Sequence, residues 1–382
     1  MIRLLSLLSL FLGPLVTSAK DLNLEIPLLP HPVKISLPEN FDPSKKHPTF
    51  FYYHGSGGRP TTELMRRQTG PDDWIIVGMT YTDGGRATLS QEPLTEEIKA
   101  FQRVRQQLLR QHASDPDRLY VGGFSLGGWH SDLMLQSVPS LRGGIILGAG
   151  HARRPPGALS KYADQKSVHI GVGRGDPNYL FALRAFLHHR KLGGELSMEV
   201  WPNLAHAYPR DGSDSMRQWL KLRVSTAQTL APTAQKELSA FLQEAKSLPF
   251  IAQWDRLREV QGMPYFALTS PSWQTTFKEA LSRLEASPAL VNEVRLYKEH
   301  RRLHHQEITD QSAKTLRKVN AAYLQLSRKF PKTRQAKLMQ EDYKRTLAII
   351  KQIKVIPAEK KPTTVPFGTV PDRRIPRNPL VR

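Results

Sequence analysis

Three residues of this chain could together split an acyl bond: Ser125, Asp176 and His206. Ser125 is the centre of Gly123-Phe124-Ser125-Leu126-Gly127, a G-x-S-x-G. Leu119 to Gly122 reads as a buried strand and Gly127 onward as a helix, so the spacing predicts a serine on a sharp strand-to-helix turn. The backbone of such a turn is strained, and a side chain two positions away on either side would collide. Gly123 and Gly127 supply the missing bulk, and Gly128 lets the helix pack close to its sheet. The hydroxyl then stands at a helix N-terminus, where free N–H groups and the dipole favour developing negative charge.

A serine hydroxyl needs a base, and the base needs an orienting acid. The strand Val168 to Val172 runs into Gly173-Arg174-Gly175-Asp176-Pro177-Asn178, which puts Asp176 at the carboxyl end of a strand. The strand Leu196 to Trp201 runs into Pro202-Asn203-Leu204-Ala205-His206, which puts His206 just beyond the last strand. The order serine, acid, histidine is the one expected for a serine on such a turn. His130, His151 and His169 precede Asp176, and Asp211 and Asp214 follow His206, so each fits that order less well. The loop His54-Gly55-Ser56-Gly57-Gly58 supplies the remaining need. Two backbone N–H groups must face the oxyanion of a tetrahedral intermediate; Leu126 is expected to give one and Ser56 or Gly57 the other. No Gly-Lys-Ser/Thr follows this loop, so it is not a phosphate loop.

The elements that must carry these residues alternate. Leu22 to Leu29, Val33 to Leu37, Thr49 to Tyr53, Trp74 to Thr80 and Gly143 to Leu147 read as further strands. Phe50 to Tyr53 is apolar and aromatic without alternation, as in a strand buried on both faces of a parallel sheet. Leu94 to Gln111 reads as a helix with Ile98, Phe101, Val104 and Leu108 on one face, and Ser215 to Arg223 as a closing helix. The expected fold class is α/β, a mostly parallel sheet covered by helices, followed by an all-α C-terminal module.

The chain of 382 residues has room for two units. It opens with Arg3, the apolar run Leu4 to Val16 and small residues at Thr17-Ser18-Ala19. That predicts a signal peptide over residues 1–19, too short to span a membrane, and an exported protein, periplasmic or extracellular and bacterial. With no cysteine, it can use no disulfides. A net charge of +21 behind a leader points to an anionic envelope polymer or acidic polysaccharide as partner, not to nucleic acid. No membrane span is expected.

LPENFDPSKKHPTFFYYHGSGG, DPDRLYVGGFSLGG, GRGDPN and NLAHAYP resemble the alpha/beta-hydrolase superfamily. Within it they are similar to secreted esterases of the polyhydroxybutyrate depolymerase/feruloyl esterase type and to their phospholipase/carboxylesterase neighbours. The resemblance covers residues 22–224. It implies a carboxylic-ester hydrolase working through an acyl-enzyme, without metal or organic cofactor. Ser125 matches the nucleophile, Asp176 the acid, His206 the base, and His54 to Gly57 the oxyanion loop. Where many members carry a lid, His151 to Lys166 is short and basic, which favours small acyl groups or esters displayed on a polymer. A serine peptidase of the same fold would need a propeller or a large cap, for which the N-terminal stretch is too short. A binding protein that kept the fold would not need an intact triad.

Residues 20–228 are thus expected as the hydrolase domain, 229–355 as the helical module and 356–382 as a basic, Pro-rich, mobile tail. Thr233 to Lys246, the region of Trp254, Leu257 and Val260, Trp273 to Leu284, Leu316 to Phe330 and Ala336 to Lys354 read as the module's helices. His300, His304 and His305 stand beside Arg301 and Arg302, which predicts a solvated basic helix face and no metal site. The hydrolase unit is expected to fold and work without the module.

Overall fold

The computed structural model describes residues 21–209 and 212–355. The expected leader, the Pro-rich tail and Asp211 lie outside the described residues. The strands are β1 (Asp21–Leu24), β2 (Val33–Ser36), β3 (His47–Tyr53), β4 (Ile75–Met79), β5 (Ser114–Phe124), β6 (Gly143–Leu147), β7 (Ser167–Gly173) and β8 (Glu195–Trp201). They form one eight-stranded sheet in the order β1-β2-β4-β3-β5-β6-β7-β8. The pairs β1–β2 and β2–β4 are antiparallel, and every pair from β4 to β8 is parallel. The sequence order reverses around β3 and β5, and such a switch point opens a crevice at the strands' carboxyl ends.

The helices among the described residues are α1 (Glu63–Thr69), α2 (Arg86–Leu89), α3 (Thr95–Gln111), α4 (Leu126–Ser137), α5 (Tyr179–Lys191), α6 (Asp214–Lys221), α7 (Ala227–Lys246), α8 (Phe250–Gly262), α9 (Pro271–Glu285), α10 (Val291–Thr309), α11 (Ala313–Lys329) and α12 (Arg334–Val355). The run Phe50 to Tyr53 explains how both faces of the sheet are covered. Phe51 and Tyr53 point into a core shared with Phe101 and Val104 of α3, Met134 and Leu135 of α4 and Ala182 of α5. Phe50 and Tyr52 point the other way, onto Met65 of α1 and Met216, Trp219 and Leu220 of α6. Period-two alternation across a strand makes this two-sided core from one apolar run.

Several boundaries differ from expectation. β1 stops at Leu24. β5 begins at Ser114, where its polar start pairs with β3 at His47 and Arg118 is tied to Asp115. The helix α7 starts at Ala227, capped by Thr226, whose hydroxyl accepts from Thr229 N; it continues past Pro232. The expected boundary at 228/229 therefore falls inside α7. α7 to α9 enclose their own core around Trp254, Leu257, Val260, Phe277 and Leu281, and α10 to α12 a second around Leu296, Val319, Tyr323 and Met339.

The module is nonetheless applied to the sheet domain: the Gln218 side chain of α6 accepts from Tyr265 N, and Arg174 meets Asp342. The expected solvated face of α10 is also corrected. Arg301, Arg302 and His305 are exposed, but His300 and His304 are buried, with Asp342 of α12 between them. Spacing of four puts both imidazoles on the face that also carries Leu296 and Leu303, and Asp342 satisfies their N–H groups there.

Candidate active site

Gly122, Gly123 and Phe124 end β5, and Ser125 stands as the N-cap of α4 with φ 57° and ψ −118°. A positive φ is costly for any residue but glycine. What holds it is close packing on both sides. A Cβ on Gly123 would stand 2.6 Å from Gly127 C, and one on Gly128 would stand 2.6 Å from Ala149 Cβ and 2.7 Å from Leu147 O. The Ser125 amide donates to Leu147 O at 2.8 Å, so the turn is also pinned to the end of β6.

The three expected residues come together. His206 Nε2 lies 2.8 Å from Ser125 Oγ, and His206 Nδ1 lies 2.8 Å from Asp176 Oδ2. A carboxylate can only accept, so Nδ1 carries the proton and Nε2 is left to accept the Ser125 hydroxyl. Asp176 is buried; its other oxygen accepts from Asn178 N at 2.8 Å. His206 is exposed at the rim, its ring 5.0 Å from that of Phe124. The hydrogen bond to Asp176 lifts the His206 imidazole above its ordinary value, while partial burial pulls the other way. The loops of acid and base lie against each other, Gly175 N donating to Leu204 O at 2.9 Å.

The glycine loop after β3 abuts the serine. A Cβ on Gly55 would be 3.5 Å from Ser125 Cβ and 3.4 Å from Phe124 O. Gly58 N closes a turn on Gly55 O at 3.0 Å, with Gly57 at φ 71°, a type II requirement at its position. That bond leaves the amides of Ser56 and Gly57 unused by the turn. Leu126 is the first residue of α4, so its N–H has no intrahelical partner either. His54 is held by its own carbonyl, which accepts from Tyr81 Oη at 2.6 Å.

The rivals are occupied elsewhere. His130 is buried against Thr88, and burial brings its imidazole down to about 3. His151 bonds Asp132 at 3.1 Å and His169 bonds Ser197 at 2.9 Å. Asp214 pairs with Arg217. Sequence reasoning missed the part played by Asn178, which holds Asp176 through its amide and Gly148 O through its side chain at 2.9 Å. It also missed Arg174. Both stand in the quoted run around Asp176, but nothing local in that run shows what they touch. His300, His304 and Asp342 are the one donor set among the described residues with three ligand-type atoms within 4.8 Å of one another.

No protein-family model matches the chain, and no curated protein is similar to it by sequence. In shape it is similar to an S-formylglutathione hydrolase from Staphylococcus aureus, at 13% identity over 55% of this chain and 96% of that one, TM-score 0.42. It is similar to a thermostable esterase at 14% identity, over 56% of this chain and 62% of that one, TM-score 0.39, and so spans less than two thirds of that protein. It is also similar to a ferulic acid esterase from the anaerobic fungus Anaeromyces mucronatus, at 14% identity over 50% and 85%, TM-score 0.37. At such identities no residue's role passes to this chain, and the assignments rest on the distances above. Among the described residues no helix is long and apolar enough to cross a membrane. By its strand order, its strained serine at the end of β5 and the acid and histidine beyond β7 and β8, the chain has the α/β-hydrolase fold.

Proposed function

We propose that this chain is a serine carboxylic-ester hydrolase that works through an acyl-enzyme. The observation that carries this is the unbroken relay from Ser125 through His206 to Asp176, both steps at 2.8 Å. A base must lie within hydrogen-bond reach of the proton it takes, and here it does so before any substrate arrives.

His206 Nε2 takes the hydroxyl proton as Ser125 Oγ attacks the ester carbonyl carbon. The carbonyl oxygen becomes an oxyanion facing the amides of Leu126 and of Ser56 or Gly57. As the intermediate collapses, His206 gives its proton to the leaving alkoxide, and the alcohol departs. Water then attacks the acyl-serine, with His206 as base again, and the acid leaves with Ser125 restored. Asp176 stays a carboxylate throughout, fixing the tautomer and steadying the imidazolium.

The surroundings support a substrate class. Residues 148–166, between β6 and β7, form no helix or strand, and His206 stands exposed. An open site of this kind suits small acyl groups or esters borne on a polymer. A series of nitrophenyl esters from acetyl upward, with feruloyl esters beside them, tests this. Highest kcat/KM on short or feruloyl groups is expected; a steady rise to long acyl chains would exclude it.

The leader-like start and the net charge of +21 further support an exported protein held near an anionic envelope polymer or acidic polysaccharide. Cell fractionation tests the location: a protein found only in the cytosol would refute export.

A further inference from the structure

Arg174 stands two residues before Asp176 and Tyr179 three after it, and the helical module holds both. The Arg174 guanidinium donates to Asp342 Oδ2 at 3.2 Å and lies over the Tyr179 ring, 4.4 Å from its centroid. That ring in turn meets His304 edge-on at 5.5 Å. Arg174 and Tyr179 thus fasten both ends of the acid loop to α10 and α12.

Asp342 is itself locked. Its Oδ2 accepts from His300 Nε2 at 2.6 Å and His304 Nε2 at 2.8 Å, and its Oδ1 from Arg345 Nε at 3.2 Å. Arg345 is held by both oxygens of Glu307, at 2.5 and 2.8 Å. Burial alone would raise the Asp342 carboxyl, but the two imidazoles and Arg345 hold it well below the usual carboxylate range. Two histidines and an aspartate are also a set that a divalent cation could use. Here, however, one carboxylate oxygen already takes three donors, and guanidinium groups stand on both oxygens. A doubly charged ion would meet two fixed cations at close range. The cluster is saturated by its own members, and what it presents outward is a fixed anion to Arg174.

The acid loop needs such a hold. Gly173 and Gly175 flank Arg174, and glycines leave a loop free to move unless it is tied down. Displacement of a catalytic group by about 1 Å can cost about a hundredfold in rate. We propose that Arg174 is a positioning residue for Asp176, and that α10 and α12 brace the acid loop from outside the sheet. The module is then part of the catalytic apparatus, in place of an independent tether. This rests on the proposed role of Asp176 as the triad acid.

The test uses the full chain and a nitrophenyl ester, with kcat, KM and the acid limb of the pH–rate profile measured for Arg174→Gln, Arg174→Lys, Asp342→Asn and Ser125→Ala. Arg174→Gln is expected to lower kcat about tenfold with KM within twofold. It should also move the acid limb down toward the ordinary histidine range, because Asp176 then backs His206 less well. Arg174→Lys should restore part of both, and Asp342→Asn should repeat the effect without adding to Arg174→Gln. Should Asp342→Asn fail to fold, the two Arg174 variants decide alone, since that side chain is at the interface and 14% exposed. Folded Arg174→Gln with kcat and acid limb unchanged overturns the brace, and so does a loss of kcat with the limb unmoved. Turnover retained by Ser125→Ala would instead overturn the reading of the site itself.

Discussion

Gly127 lies so close to the carbonyl oxygen of Tyr53 that a Cβ added to it would overlap that oxygen. The helix that presents Ser125 is thus pressed against the strand that leads into the glycine loop. Ser125 and the glycine loop after β3 are thus set against each other by close backbone approach.

The consequence is a graded cost of adding a methyl group. Gly127→Ala must push backbone from backbone and is expected to destabilise by about 3 kcal/mol, the upper end for overpacking. Gly57→Ala meets nothing within 4 Å and has only its φ of 71° to strain against, a cost of about 1 kcal/mol. Urea unfolding of both measures the difference; equal losses would contradict the close approach at Gly127.

The relay makes activity depend on pH in a stated sense. The base form of His206 is neutral, and its bond to Asp176 lifts the imidazole. Activity on a nitrophenyl ester should therefore be lost as pH falls, through a midpoint above about 6.5. Asp176→Asn should lower that midpoint and reduce kcat by roughly 10⁴-fold, the wrong tautomer now being favoured. A rate flat down to about pH 4 would show that no histidine base operates.

Much of this site could be read from the residues in order. β6 runs from Gly143 to Leu147, as its unbroken apolar stretch predicts, and the ends of β7 and β8 place Asp176 and His206. α5 was hidden because it packs on the sheet through Ala182, Ala185 and His189, which make no apolar stripe. α10 misled for a related reason. Glu293, Leu296, His300, Leu303, His304 and Glu307 share its buried face, so polar residues occupy core positions. Their partners, Asp342 and Arg345, lie on another helix, and no local signal announces a contact across such a distance in sequence.

Burial of His130 couples stability to pH. The folded imidazole stays neutral down to about 3, whereas the unfolded one takes up a proton near its ordinary value. The unfolded state therefore binds more protons as pH falls below about 6.5, and stability should drop by up to about 1.4 kcal/mol per pH unit from this group. Urea midpoints at pH 7.5, 6 and 5 check it. The wild type should lose stability more steeply than His130→Gln, and equal slopes would remove His130 from the explanation.

A surface attraction behind the net charge of +21 must weaken with salt. The Debye length falls from about 10 Å at 0.1 M to about 3 Å at 1 M. Retention of the full chain on an immobilised acidic polysaccharide should be lost across that range. Retention unchanged at 1 M would mean that charge does not drive it.

The central claim is that Ser125 is a nucleophile activated by His206. A fluorophosphonate probe followed by peptide mapping tests it most directly, because the probe bonds only an activated hydroxyl. The account predicts one labelled peptide, bearing Ser125, with labelling absent in Ser125→Ala and slowed at least a hundredfold, about 2.7 kcal/mol in the barrier, in His206→Ala. Folded wild-type protein that stays unlabelled, or that is labelled on a serine other than Ser125, would contradict it.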